Sequence, residues 1–242
     1  MRTGNPALKE SVFTDSVVRG AGNTMTINGT VNRTGWLILL VTGAAWFSWS
    51  RSAAGVPNPY IAIGALGGFI VALITVFKKS AAPITAPIYA VLEGLFLGGF
   101  SALLEARFPG IAAQASFATL GTLAGLLIAY RTGFIRATEN FKLGVFAATA
   151  GIALLYLVSF VLGFFGKSIP FIHQGGAIGI GFSVFVVIIA ALNLVLDFDF
   201  IEKGAEMGAP KYMEWYGAFG LLVTLVWLYI EIIRLLAKLR SR

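Results

Sequence analysis

Four carboxylates stand inside or against long apolar runs, and their chemistry is what this chain must explain. Glu93 lies within Ala90-Val91-Leu92-Glu93-Gly94-Leu95-Phe96-Leu97-Gly98, and Asp197 and Asp199 close the run that includes Leu192-Asn193-Leu194-Val195-Leu196. Glu231 sits inside Trp227-Leu228-Tyr229-Ile230-Glu231-Ile232-Ile233-Arg234. A carboxylate surrounded by lipid must be protonated, paired or facing water, and such placements usually have a use. Glu93 is therefore a candidate proton acceptor, and a neutral glutamic acid bonded to a neighbouring helix is the plainer alternative. On a regular helix Asp197 and Asp199 point about 200° apart, so one faces the interior and the other faces an interface or loop. Asn193, one turn before Asp197, shares its face and could donate to it. Glu231 and Arg234 can neutralise each other across one turn. Thr224 lies one heptad before Glu231, on the same stripe.

The elements that must position these groups are membrane helices. Hydrophobic residues make up 57% of the 242 and charged residues 12%, against about 45–50% and about 25% in an ordinary soluble domain. The apolar residues fall into seven runs, near 35–49, 59–77, 86–104, 111–130, 143–165, 176–196 and 215–236, of roughly the 17–25 residues a spanning helix needs. The expected fold is an all-α integral membrane protein, a seven-transmembrane-helix bundle over residues 34–237. A polar arm precedes it at 1–33 and a basic tail follows at 238–242. The sixth run could continue as helix beyond Leu196.

Charge placement speaks to topology. The net charge of +7 comes from basic residues at run ends, which reads as positive-inside signalling and not as a nucleic-acid surface. With the N-terminus inside, Lys and Arg number eleven on the inner side and three on the outer, leaving aside Arg234, Lys238, Arg240 and Arg242 at the end. That favours a cytosolic N-terminal arm. Seven full spans would put the C-terminus outside, whereas a shallow or re-entrant last segment would bring it back. Trp36, Trp46, Trp49, Trp215 and Tyr130 lie near run ends, as interfacial anchors do. Gly94 with Gly98, Gly121 with Gly125, and Ala147 with Gly151 have the spacing of close helix packing, or of a dimer seam.

Enzyme chemistry finds little support. There is no cysteine, hence no thiolate metal site or thiol nucleophile. The one histidine, His173, sits in a short loop and cannot supply a two-histidine zinc motif or serve a membrane-embedded serine. No lysine falls mid-span in the seventh run for a retinal linkage, and the glycines form no phosphate loop. No cofactor is expected.

Taken together, Glu93–Gly98, Leu192–Phe200 and Trp227–Leu236 resemble the Bax-inhibitor family (the transmembrane BAX-inhibitor-motif family), and Asn5-Pro6-Ala7-Leu8 is reminiscent of its bacterial branch. The resemblance implies six helices around a central seventh, calcium leak through a pore, and a pH-sensitive latch between aspartates of spans six and seven. Two close carboxylates readily share a proton. The span-six acid corresponds to Asp197 or Asp199. In span seven the better alignment places Thr224 at the second aspartate, and a one-heptad slide places Glu231 there instead. A latch could therefore pair Asp197 or Asp199 with Thr224, reach Glu231, or recruit Glu93.

The leading expectation is a pH-sensitive calcium or cation leak channel of a bacterial cytoplasmic membrane, with carboxylate gating and no enzymatic activity. Oxygen ligands suit calcium, and Asp197 with Asp199 is the candidate ion site. Two alternatives stand beside it: a non-conducting regulator acting through a membrane-protein partner, and a proton-coupled transporter of a small solute.

Overall fold

The computed structural model describes residues 24–52, 58–166 and 176–241. Asn5-Pro6-Ala7-Leu8, most of the polar arm, Lys167, His173 and Arg242 lie outside the described residues.

Among the described residues there are seven α-helices: α1 (Ile27–Ser50), α2 (Pro59–Phe77), α3 (Ala82–Arg107), α4 (Ile111–Arg131), α5 (Glu139–Phe164), α6 (Ala177–Glu206) and α7 (Met213–Arg240), with a short 3₁₀ turn at Lys79–Ala81. Their ends follow from local chemistry. Thr26 and Thr138 cap α1 and α5 with their hydroxyls. Asn58 caps α2 ahead of Pro59, which lacks an amide hydrogen that the first turn would leave unused anyway. At α4 the cap comes from a distance: the Glu105 carboxylate accepts from the amides of Gly110 and Ala112 at 2.5 and 3.0 Å. Gly110 enters that turn at φ +81°.

One boundary differs from the sequence expectation, and one that it left open is decided. α1 begins at Ile27, so Asn28, Asn32 and Arg33 belong to the helix and not to an arm, because Thr26 supplies the cap. α6 runs on to Glu206, carrying Asp197, Asp199 and Glu202 on regular helix. The chain reverses only where Gly208 takes φ +67°.

Six helices, α2 to α7, are long and apolar enough to cross a membrane. α1 is 24 residues long, and its polar first half keeps it out of that set. The helices present Phe69, Ile70, Phe117, Ile128, Leu154, Phe160 and Ile178 outward, the apolar surface a bilayer requires.

The core is built on α7. On one side its Phe219, Leu222 and Val226 pack with Leu37 of α1 and with Ala86, Tyr89, Ala90 and Leu97 of α3. On the other its Leu221, Leu225, Leu228 and Ile232 meet Ile111 and Ala115 of α4 and Ala190, Leu194 and Phe198 of α6. The principal neighbours of this central seventh helix are α1, α3, α4 and α6, while α2 packs mainly on α3 and α5 on α6. The ring is therefore an inner four with two outriggers.

Glycine decides how closely α3 is held. A Cβ on Gly94 would lie 2.5 Å from Val41 O, and one on Gly98 would lie 2.1 Å from Ala45 O. On the opposite contact, a Cβ on Gly64 of α2 would lie 2.5 Å from Leu92 O of α3. Gly94 and Gly98 are thus spent on internal packing. At Gly121, Gly125 and Gly151 an added Cβ would meet nothing within 4 Å.

Candidate functional site

The four acids do not converge; each has its own surroundings. Asp197 is the inward-facing one, with 1% of its surface exposed and neither carboxylate oxygen hydrogen-bonded. Nine residues separate it from the end of α6 at Glu206, about 14 Å of helix. Thr224 lies eleven residues into α7, about 16 Å from the same side of the bundle. The two stand at one level, and the Thr224 hydroxyl is the polar group acting on Asp197. No bond within normal limits forms between them, because Thr224 Oγ1 donates to Gly220 O at 3.3 Å. The result is a carboxyl enclosed by the bundle with a hydroxyl beside it and, among the described residues, no cation paired with it.

Asp199 differs in every respect. Its Oδ2 lies 2.9 Å from Lys142 Nζ of α5 and 2.9 Å from Lys203 Nζ one turn along α6. The Lys142 side chain is 1% exposed and also reaches Glu139 at 3.2 Å. This cluster is the main polar tie between α5 and α6. The proposed joint calcium position at Asp197 and Asp199 is corrected accordingly: the side chains diverge around the helix, and two ammonium groups occupy Asp199. Among the described residues, no three His, Asp or Glu side chains gather as a metal site.

Asn193 is also corrected. Its amide donates to Ile189 O and to Thr149 Oγ1 of α5, both at 2.8 Å, and not to Asp197. The i−4 carbonyl on its own helix and the hydroxyl across the interface are nearer competitors for the NH₂.

Glu231 does form the local pair with Arg234, at 3.3 Å. Tyr156 of α5 adds a second donor at 3.0 Å. It lies seven residues beyond Thr224 on α7, about 10 Å further along the axis. Of the two span-seven candidates, Thr224 is the one level with Asp197. Glu93 is at a similar depth on α3 but turned toward α2, its Oε1 2.8 Å from where a Cβ on Gly68 would be, with Tyr89 its polar neighbour. It is not recruited to Asp197.

Sequence reasoning missed a fifth acid. Glu214, 1% exposed at the start of α7, accepts from the amide and hydroxyl of Thr26 at 3.0 and 2.8 Å and pairs with Lys211 at 2.8 Å. Arg33 stands 4.0 Å away and lies over the Trp215 ring. Met25 N donates to Ala209 O at 2.6 Å beside the Thr24–Pro210 bridge. The entry to α1 is thereby fastened to the turn that starts α7. The available signal was an acid in the first turn of a helix, where the dipole favours it. Lys142, read only as a topology charge, was likewise legible as the i+3 partner of Glu139.

No curated protein matches this sequence at a significant level. A family model described as Bax inhibitor 1 like matches residues 5–241, nearly the whole chain. With four helices packed on α7 and two more outside them, this chain belongs to the Bax inhibitor 1-like family.

Proposed function

We propose that the protein is a pH-sensitive cation leak pathway, with calcium as the ion its oxygen-only chemistry suits and Asp197 as the group that senses protons. The observation carrying this reading is Asp197 itself: a carboxyl with both oxygens unpartnered inside the bundle, level with Thr224 on the central helix. An enclosed carboxylate without a partner is strongly disfavoured, so the packed state selects the protonated acid. Losing the proton favours any state in which α6 and α7 separate enough to admit water. The linkage gives a sign: conduction increases as pH rises. Thr224 stands in for a second acid, so the latch is one carboxyl and one hydroxyl.

The same reading places the protein in a bacterial cytoplasmic membrane with the Thr26–Glu214 side cytosolic, as the Lys and Arg bias favours, and assigns it no enzymatic role. The test is calcium flux into proteoliposomes of the purified chain at acidic, neutral and mildly alkaline pH, beside protein-free vesicles. Flux that rises with pH, and loses that dependence in Asp197→Asn, supports the proposal. Folded protein that passes no calcium at any pH overturns it and favours the non-conducting regulator. Solute-dependent proton movement without calcium flux favours the transporter.

A further inference from the structure

Far from Asp197, toward the C-terminal end of α7, a crevice of about 800 Å³ opens between α3, α5, α6 and α7. Its character is split. One part carries Glu231, Arg234, Lys238, Tyr156 and Ser183, and the other is walled by Phe100, Leu104, Phe160 and Phe164. Lys238 is seated against α6, donating to Gly179 O at 3.1 Å and Ser183 Oγ at 2.8 Å. Arg234 turns Nη1 to Glu231, yet its side chain stays 49% exposed. Two cations against one carboxylate leave the polar part net positive, which disfavours a metal cation as occupant. The aromatic walls are more than a small soluble anion needs, and Phe160 and Phe164 are themselves largely exposed on the outer face.

Depth agrees with charge. Six residues separate Arg234 from the end of α7 at Arg240, about 9 Å. A helix of 28 residues is about 42 Å long against a hydrocarbon core of about 30 Å. Arg234 and Lys238 therefore lie near the boundary where headgroup phosphates sit; the same count puts Phe160 and Phe164 of α5 at their level and Phe100 of α3 about 5 Å deeper. A guanidinium binds phosphate through paired charge-assisted hydrogen bonds, and lysine adds a point charge.

We propose that this crevice is a binding site for one anionic phospholipid, its phosphate at Arg234 and Lys238, its glycerol region against Phe160 and Phe164, and the start of an acyl chain passing Phe100. The site stands independently of the leak reading, since it uses neither Asp197 nor Thr224. The test is native mass spectrometry of the full chain with equal phosphatidylglycerol and phosphatidylcholine, alongside melting in detergent with either lipid or with inorganic phosphate. The wild-type chain should retain phosphatidylglycerol with an about tenfold preference, the scale of one charge-assisted contact, and Arg234→Gln with Lys238→Gln should abolish that preference. Equal retention of the two lipids by the wild-type chain overturns the proposal, and that arm does not depend on the variant folding. Stabilisation by inorganic phosphate equal to that by phosphatidylglycerol overturns it in favour of a free anion. Preference persisting in the folded double variant overturns the assignment to these residues.

Discussion

Asp197 and Asp199 are two residues apart on one helix, and the bundle treats them in opposite ways. Around Asp199, Lys142 and Lys203 make a closed ionic cluster joining α5 to α6. Around Asp197, among the described residues, there is the apolar interior and Thr224. The first arrangement holds a charge in place; the second leaves both carboxyl oxygens without a hydrogen bond. One helix thus carries a paired acid and an unpaired acid side by side, and Lys142 on α5 marks the difference.

Four experiments would break or sharpen that contrast. Removing both cations, Lys142→Ala with Lys203→Ala, leaves Asp199 uncompensated and should cost about 3–5 kcal/mol, read as a large loss of thermal stability in detergent. Gly29→Ala, whose Cβ would fall 1.9 Å from Glu214 Oε1, should displace the Thr26–Glu214 fastening and cost about 1–3 kcal/mol. A melting curve that matches wild type would show the fastening to be dispensable. Asp197→Asn should leave stability within about 1 kcal/mol while removing the pH dependence of flux. A loss as large as that of the lysine pair would make Asp197 another structural acid. Thr224→Val should change stability least, by under about 1 kcal/mol, and move the pH at which flux is half-maximal. An unmoved profile would exclude the hydroxyl from the latch.

Much of this was legible in the sequence where the determinant was local. Asn58-Pro59 marks the start of α2, and its two bounds follow from the apolar run alone. The opposition of Asp197 and Asp199 follows from helical geometry, and the Glu231–Arg234 pair from its spacing. The unread portion depends on partners brought together by folding. That Asp197 faces inward is decided by Lys142, on a different helix. Asn193 was misread because Thr149 is invisible from its neighbourhood. The fastening of Glu214 to Thr26 joins residues 188 positions apart, and no local pattern announces it.

The position of α7 has a consequence for how the molecule is made. A ribosome delivers α1 to α6 to the bilayer before the helix that most of them pack against exists. Until then, Leu37, Leu97, Leu194 and their neighbours have lipid in place of their final contacts, and the groove that will receive α7 stands unoccupied. The Glu214 carboxylate then arrives at the leading end of α7 and meets Thr26, which was made before α1. Assembly therefore waits on synthesis of α7: a chain stalled before Met213 has the surrounding helices and no centre.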